Sequence, residues 1–248
     1  MTVQHIFNFL NSKFPVSTAC DFDNVGILVG DKSQTVTNAI ISLDCTDFVI
    51  EQAVKNNCQL IITHHPVIFN PLKSVLSDCL VFKLVKNNIS VISMHTNLDV
   101  ADGGVNDCLA KAISLKNVKT VLADDGYALR VGTVYPVSTT EFAEHLKTSL
   151  NTTVKYVDTE RQIENVLICS GSGGNYLEEA VKNNCDAFVT ADVKHNVFLE
   201  AKHLGIAIFD AGHFETENVV VNMLFKILSN QFKNITFLTE QTNLIKNR

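Results

Sequence analysis

An internal repeat constrains the fold of this 248-residue chain more than any other feature. The hexapeptide Ala-Val-Lys-Asn-Asn-Cys occurs at residues 53–58 and again, unchanged, at residues 180–185. In both places an apolar run that ends in threonine follows, at residues 60–63 and 187–190. Each copy then continues through a helical pattern to a second apolar run. The shared order of elements favours a duplication over a chance identity, and it predicts two similar βαβ units.

Apolar runs alternate with amphipathic helical patterns along the chain, which is typical of an α/β fold with a mostly parallel sheet. We place the repeated units at about 38–100 and 163–218. The segment from about 118 to 160 is expected to form a small connecting layer of its own. The domains predicted from this organisation are a first α/β unit over 1–117, completed by part of 219–248, and a second over 118–248 that includes the connecting layer.

Histidines and carboxylates follow three of the apolar runs directly. Neutral imidazole nitrogen and anionic oxygen suit a divalent metal ion, and a rigid sheet would aim them at one point. Two of the three strings share one spacing, a histidine with a carboxylate four residues on. The strings are Thr63-His64-His65-Pro66, His95-Thr96-Asn97-Leu98-Asp99 and His213-Phe214-Glu215-Thr216-Glu217.

Two adjacent histidines follow the first run. Side chains alternate between the faces of a strand, so His64 and His65 would not share one ion if both lay within it. Pro66 indicates that the chain leaves the strand here, and each histidine can then serve a different ion of a pair. Asp99 is suited to bridge two ions with its two oxygens. We therefore expect two similar α/β units, produced by an internal duplication, packed about a dinuclear metal site.

Structural roles stay open for several of these residues. If neither histidine of the 64–65 pair binds metal, one is a surface residue and the other a strand cap. Asp99 is placed in a loop before a helix near Gly104, where an Asx-turn is the alternative. Glu217 is placed in the first turn of a helix over 216–228, where a carboxylate is favourable with the helix dipole whether or not it binds metal.

Polar groups also occur near the second repeat. The loop Gly171 to Gly174 joins a strand to a helix, and it would either present N–H groups to a phosphate or serve as a plain tight turn. Asp192 and His195 fall where the repeat places His64 and His65, so a role beside the metal and a surface position are both open. The remaining histidines, His5, His145 and His203, lie in helical stretches and are expected to be structural.

Charge and composition narrow the class of protein. The net charge of −6 disfavours a nucleic-acid-coating protein, which normally carries a basic face. Seven cysteines without a CxxC spacing indicate small buried residues in a reducing compartment. The first residues lack the pattern of a signal peptide, and no apolar run has the length of a membrane span, so we expect a cytoplasmic protein.

The strings taken together resemble the Nif-three-like family of dinuclear metal proteins, many of which are called GTP cyclohydrolase I type 2 homologs. Besides the three strings above, the resemblance includes Asp23 to Gly30, Gly103 to Asp107 and Thr190 to Asp192, so it covers nearly the whole chain. Three positions depart from the family pattern. Phe22 stands where a tryptophan is usual, Ala191 replaces a glycine, and Asn196 stands where many members have a histidine.

The resemblance implies two similar α/β domains, a pair of divalent ions and a toroidal homohexamer. Carried over to this chain, the implied metal ligands are His64, His65, Asp99, His213 and Glu217. His95 is close to the site, and a ligand role for it stays open. The sequence does not choose among Zn, Mn, Fe, Co and Ni.

Two functions are compatible with these features. The first is a dinuclear metal-dependent hydrolase that acts on a nucleotide or a related phosphate compound, in which His95 or His195 moves protons. The second is a non-enzymatic role as a metal-binding scaffold, a metal-delivery protein or a regulatory interaction protein. A nucleic-acid partner and a membrane partner are both disfavoured. Whether the chain is an enzyme, its substrate, its metal and its oligomeric state are not determined by the sequence.

Overall fold

The computed structural model describes residues 1–246. The strands over these residues are β1 (Gly26–Val29), β2 (Asn38–Ser42), β3 (Leu60–Thr63), β4 (Ser90–Ser93), β5 (Lys116–Leu122), β6 (Ala128–Ser138), β7 (Lys155–Tyr156), β8 (Gln162–Ile168), β9 (Ala187–Thr190), β10 (Ala207–Asp210) and β11 (Thr236–Glu240). The α-helices are α1 (Val3–Lys13), α2 (Asp47–Lys55), α3 (Leu80–Lys86), α4 (Thr96–Val100), α5 (Val105–Ala112), α6 (Thr139–Leu150), α7 (Leu177–Lys182), α8 (His195–Leu204), α9 (His213–Glu217) and α10 (Val219–Gln231). Short 3-10 turns cover Val16–Thr18 and Gly174–Tyr176. The predicted α/β class is confirmed.

The chain divides into two compact units. The first comprises Met1–Ala101 and Val221–Thr242, and the second comprises Asp102–Val220 and the residues from Asn243 onward. The boundary predicted from the sequence lies after residue 117, whereas the structural division falls before α5. The reason is that the apolar side of α5 packs into a core of the second unit, which short-range sequence patterns do not reveal.

The first unit contains a five-stranded sheet with the order β1-β4-β3-β2-β11. Strands β2, β3, β4 and β11 are parallel, and β1 runs antiparallel to β4 at one edge. In the register of β3 with β4, Thr63 lies beside Ser93, and their hydroxyl oxygens are 2.8 Å apart. Because these are the last residues of both strands, the segments that begin at His64 and Met94 leave the sheet at the same edge.

The second unit contains a six-stranded sheet with the order β5-β6-β8-β9-β10-β7. Strands β8, β9 and β10 are parallel, and β5, β6 and β7 pair antiparallel. The strands of the segment that was expected to form a separate connecting layer therefore belong to this same sheet. Its two faces bury alternate residues: Ile168, Val189 and Phe209 pack in one cluster, and Leu167, Phe188 and Ile208 in another. Burial on both faces explains the unbroken apolar runs.

The repeated hexapeptide is a helix-ending signal. Helices α2, α3 and α7 all end in Val-Lys-Asn-Asn, and in each the side chain of the first asparagine donates to the carbonyl oxygen four residues back, at 2.8 Å. The second asparagine adopts a left-handed conformation, and the next N–H returns to the helix. Since α3 ends with the same signal although it lies outside both copies of the hexapeptide, the duplication is supported mainly by the matching order α2-β3-α3-β4-α4 and α7-β9-α8-β10-α9.

The cysteines form no disulfide among the described residues. Cys45, Cys58, Cys169 and Cys185 are buried, as expected for small apolar side chains. Burial raises the pKa of Cys45 to about 12 and that of Cys185 to about 12, so both thiols stay protonated at neutral pH.

Candidate metal centre

His64 and His65 come directly after β3, where the chain turns away from strand geometry. Both backbone N–H groups donate to the carbonyl oxygen of Leu43, at 3.1 and 3.0 Å. The turn ends the alternation of side chains, and the two imidazole centroids lie 5.0 Å apart. His64 is fully buried, and His65 is partly exposed. The departure from the strand that Pro66 suggested is therefore present.

Three histidines of the first unit, His64, His65 and His95, have Nδ1 within hydrogen-bonding distance of an oxygen. The oxygens are, in that order, the backbone O of Met94 at 2.9 Å, Oδ1 of Asp44 at 2.7 Å and Oδ1 of Asp23 at 2.8 Å. A carbonyl or ionised carboxylate only accepts, so Nδ1 carries a proton, and in the neutral ring the lone pair is then on Nε2. Metal-ligating histidines have this arrangement, because a partner on the other nitrogen fixes tautomer and ring orientation.

These histidines form a cluster with donor chemistry that fits a divalent ion. One ligand atom from each of His64, His65 and His95 lies within 4.8 Å of the others, and the ring centroids are 5.0, 5.1 and 5.6 Å apart. Asp99 adds a carboxylate, whose Oδ1 lies 3.5 Å from Nε2 of His64. Imidazole nitrogen with one carboxylate oxygen suits Zn, Mn, Fe, Co or Ni.

Asp99 lies in a short helix, α4, and the prediction of a loop was wrong. Its backbone N–H donates to the carbonyl oxygen of His95 at 3.1 Å. Residues Thr96 to Asp99 are all buried, although three of them are polar. The sequence of this helix therefore does not show the alternation of apolar and polar residues that marks an amphipathic helix. The helix also places Asp99 four residues after His95, which is about one turn.

Asp23 anchors the start of α4. Its second oxygen accepts from the backbone N–H of Thr96 at 2.9 Å and from the Thr96 hydroxyl at 2.5 Å, while the first holds His95. Burial alone would raise the pKa of Asp23. The hydrogen bonds from His95 and Thr96, together with the charge of His95, outweigh this effect and lower the pKa to about 2. Asp23 is therefore ionised at neutral pH, which favours the proton on Nδ1 of His95.

The second unit carries a histidine and a carboxylate on one face of α9. The helix predicted over 216–228 is in fact two helices, because α9 begins at His213, after Gly212 in a positive-φ conformation (85°). Nε2 of His213 lies 3.0 Å from Oε2 of Glu217, at the i, i+4 spacing of one helical turn. Glu217 is the last residue of α9 and not in a first turn, so the helix dipole does not explain its presence.

His213 is held on its other side by Asp192, whose Oδ2 lies 2.6 Å from Nδ1. Burial would lower the pKa of His213, but the hydrogen bonds and charges of Glu217 and then Asp192 outweigh it and raise the pKa to about 9. In the metal-free protein at neutral pH the ring is therefore an imidazolium. A metal ion at Nε2 would take the place of that proton, as expected for a histidine ligand.

The Gly171–Gly174 loop lies against this pair. Gly171 has a positive φ of 59°, and a Cβ at this position would overlap Oε1 of Glu217. The N–H groups of Gly171 and Gly173 donate within the unit, to the hydroxyls of Thr216 and Thr190 at 3.0 and 2.9 Å. These two groups are already used, which supports the interpretation as a tight turn that lets the backbone approach Glu217.

Several other residues of the motifs hold the fold. The side-chain oxygen of Asn97 accepts from the N–H of His95 at 3.0 Å, and its amide donates to Phe14. The side chain of Asn106 accepts from the N–H of Ser170 at 2.8 Å. The fully buried Arg130 contacts Asp107, with Nε and Oδ1 2.6 Å apart.

The structure brings together most, but not all, of the side chains that the sequence singled out. His64, His65, His95 and Asp99 form a cluster in the first unit, and Asp192, His213 and Glu217 form one in the second. His195 is exposed at the start of α8, and it belongs to none of the possible ligand groups among residues 1–246. Asp44 was not predicted as a partner of His65, although it shows the same signal as the proposed ligands, a charged residue just after an apolar run.

Fold and site together define a two-unit α/β protein with histidine–carboxylate clusters, of a composition that can bind metal, just beyond the carboxyl ends of its parallel strands. Comparison with known families identifies which one. The chain belongs to the Duf34/NIF3 (NGG1p interacting factor 3) family, whose sequence profile matches residues 1–247. The resemblance stated from the sequence is thereby confirmed.

Related proteins match over most of their length. A relative from Clostridium acetobutylicum named GTP cyclohydrolase 1 type 2 homolog is 32% identical, with 98% of this chain and 97% of the relative covered. One of the same name from Campylobacter jejuni is 31% identical, with 93% of each covered. The crystal structure of a hypothetical protein from Staphylococcus aureus superposes with a TM-score of 0.92 at 29% identity, covering 100% of this chain and 99% of that one. Reduced HcgD from Methanocaldococcus jannaschii gives 0.83 at 28%, covering 96% and 97%.

None of the helices within residues 1–246 has both the length and the apolar character that a bilayer crossing requires.

Proposed function

We propose that the chain binds two divalent metal ions and uses them to hydrolyse a nucleotide or a related phosphate compound. The proposed ligands are His64, His65 and Asp99 from the first unit and His213 and Glu217 from the second. The observation that carries the proposal is the set of ligand histidines whose Nδ1 atoms all meet a carbonyl or carboxylate oxygen. A partner on Nδ1 fixes the orientation of each ring and makes Nε2 the atom that would meet a cation.

Two histidines expected to be structural serve as an internal comparison. Nδ1 of His5 accepts from the backbone N–H of Thr2 at 3.2 Å, within the capping box of α1. His145 uses Nε2, 2.8 Å from the carbonyl oxygen of Ile113. Neither shows the proton arrangement of the clustered histidines. The pattern therefore distinguishes the proposed ligands from histidines that serve packing and capping.

The chemistry follows from the donor set. Divalent ions bound there would supply Lewis acidity, which acidifies water and stabilises negative charge on an attacked group. His95 lies within the first cluster and shares its Nδ1 proton with the ionised Asp23, so it is placed to move a proton at Nε2. A catalytic role for His195 is supported only by its repeat position. The nucleotide substrate class is supported by the name of the curated relatives.

The first experiment is elemental analysis of untagged protein purified without chelator. We expect about two divalent ions per chain, falling in His64→Ala and Glu217→Ala variants that keep the wild-type circular dichroism spectrum. His203→Ala, in the last turn of α8, is the matched control and should keep its metal. Protein that is metal-free and takes up no added Zn, Mn, Fe, Co or Ni would refute the metal site and the hydrolase with it.

Activity requires a second measurement. Metal-reconstituted protein should hydrolyse at least one member of a panel of GTP, other nucleotides and simple phosphoesters, and Asp99→Ala should abolish turnover while the protein stays folded. A panel without metal-dependent turnover would reject the hydrolase.

The alternative role in metal delivery is favoured by one observation. The side chains of His65 and His213 are 26% and 35% exposed, so an acceptor has access to two of the proposed ligands. Transfer of metal to an added acceptor protein faster than spontaneous dissociation would support delivery. We also propose the homohexamer that the family resemblance implies, for which light scattering should give about six times the chain mass of 27.4 kDa.

A further inference from the structure

Two exposed phenylalanines stand beside the histidine cluster of the first unit. Phe22 is 69% exposed and Phe69 is 45% exposed. Their ring centroids lie 6.4 Å apart with the planes tilted by 59°. The Phe69 ring also meets His95 edge to face, at 6.1 Å and 84°. An apolar, aromatic surface is therefore continuous with a histidine of the candidate metal centre.

The two rings are attached to backbone that is fixed by hydrogen bonds. Phe22 immediately precedes Asp23, which is bound to His95 and Thr96. Phe69 immediately follows Ile68, whose carbonyl oxygen accepts from the side-chain amide of Asn24 at 2.6 Å. The side chain of Ile68 packs against the core of the unit. Because the same segment, residues 22–24, carries one ring and anchors the other, the spacing of the rings is set by the fold.

We infer that Phe22 and Phe69 bind the planar heterocyclic ring of the substrate by stacking. The inference rests on the proposed function and deepens it, since it assigns the base-binding part of the site. Every nucleobase offers a π-face, and stacking on an aromatic side chain needs no particular hydrogen-bond pattern. Pre-ordered rings keep the entropy cost of binding low. The phosphate end of the same ligand would face the metal cluster next to His95.

Binding of guanosine monophosphate to the zinc-loaded full-length protein tests this without requiring turnover. Isothermal titration calorimetry compares the wild type with Phe22→Ala and Phe69→Ala, and with Tyr135→Ala as the control. Tyr135 is 87% exposed and lies in the second unit. Stacking on an aromatic side chain is worth about 1–3 kcal/mol per base, so each phenylalanine variant should bind the nucleotide about 5- to 150-fold more weakly. Ribose 5-phosphate, which has no planar ring, should bind equally to all four proteins.

A second measurement reports on the contact directly. The chain contains no tryptophan, so Phe22→Trp introduces a single one. Its fluorescence should be quenched by guanosine monophosphate and not by ribose 5-phosphate, and a Tyr135→Trp protein should respond to neither.

The outcomes separate this inference from the proposed hydrolase. Ring-dependent binding without turnover of any substrate would support stacking while the hydrolase fails. Turnover with equal nucleotide affinity in wild type and both phenylalanine variants would overturn the stacking. A change of oligomeric state in Phe22→Ala or Phe69→Ala, with unchanged nucleotide affinity, would also overturn it and assign the rings to contact between copies of the chain.

Discussion

The ionised Asp23 should make a measurable contribution to the stability of the metal-free protein. Its folded-state pKa of about 2 lies roughly 1.8 units below the ordinary 3.8. At 1.36 kcal/mol per unit, this corresponds to about 2.4 kcal/mol at pH 7. The side chain is completely shielded from solvent, so no large discount for screening applies. Asp23→Asn removes the charge and replaces one of the two accepting oxygens, which serve His95 and Thr96, by an NH2 group that cannot accept.

The sign of the pH dependence follows from the lowered pKa. The stabilisation is fully present above pH 3.8 and is lost as the pH falls through about 2. We therefore expect the free energy of unfolding of Asp23→Asn to be about 2 kcal/mol below that of the wild type at pH 7. The unfolding free energies of the two proteins should converge near pH 2.

Urea unfolding of chelator-treated protein, followed by circular dichroism, measures both effects. Asp78→Asn, which neutralises an exposed carboxylate in the loop before α3, is the matched control and should change the unfolding free energy by less than about 0.5 kcal/mol. Equal m-values are required for a direct comparison. If Asp23→Asn and Asp78→Asn had the same midpoint at pH 7, or if the deficit of Asp23→Asn persisted unchanged at pH 2, the charge on Asp23 would not be what stabilises the start of α4.

Two further predictions concern the second unit. Glu217→Gln should lower the pKa of His213 in metal-free protein from about 9 towards 6.5, because it removes the carboxylate that most favours the imidazolium. An NMR titration of the histidines measures this pKa. An unchanged pKa of His213 in the variant would contradict the prediction. The wild-type imidazolium stabilises metal-free protein fully below pH 6.5, and that contribution is lost as the pH rises through about 9. Gly171→Ala should displace Glu217 and lower the metal content of the protein. The matched control is Gly126→Ala, because Gly126 also has a positive φ (84°) but has open space where a Cβ would lie. This control carries only the backbone strain of about 1–2 kcal/mol and should keep its metal. Equal metal loss in both glycine variants would mean that strain, and not the overlap with Glu217, is responsible.

The sequence predicted the central strands well because their signal is local. Strands β3, β4, β9 and β10 are short apolar runs buried on both faces, and they occur within a residue or two of the predicted positions. Strand β5 was missed because four of its seven residues are polar or charged and six of the seven are exposed. Its place in the sheet depends on pairing with β6, which is a tertiary contact that no short window of sequence contains.

The candidate ligands were also found from local signals, whereas the groups that orient them were not. His64, His65 and His213 each follow an apolar run, and that pattern is visible in the sequence. Asp23 is separated from its partner His95 by 72 residues, and Asp44 from His65 by 21. Their pairing follows from the order of strands in the sheet. Long-range hydrogen bonds of this kind decide the tautomer of each ring, so the protonation pattern that best supports metal binding was visible only in the structure.

The two histidine–carboxylate strings show how far the duplication extends. Counted from the last residue of the preceding strand, α4 and α9 begin at the same position, three residues after Ser93 and Asp210. His95 precedes its helix, however, and His213 is the first residue of its own. The two strings are thus offset by one residue relative to the start of their helices. This offset rotates one string by about 100° around its helix axis relative to the other.

That shift has a consequence for Thr216, which occupies in α9 the position that Asp99 occupies in α4. Thr216 is fully buried, and its hydroxyl accepts from the N–H of Gly171 at 3.0 Å. The equivalent helix position therefore holds the glycine loop in the second unit, while in the first it presents a carboxylate to His64. The two βαβ units share the same order of strands and the same strand-end position for polar groups, and the side chains at that position differ in role. Similar spacing alone does not establish equivalent ligands, so each string needs its own variant in the metal analysis.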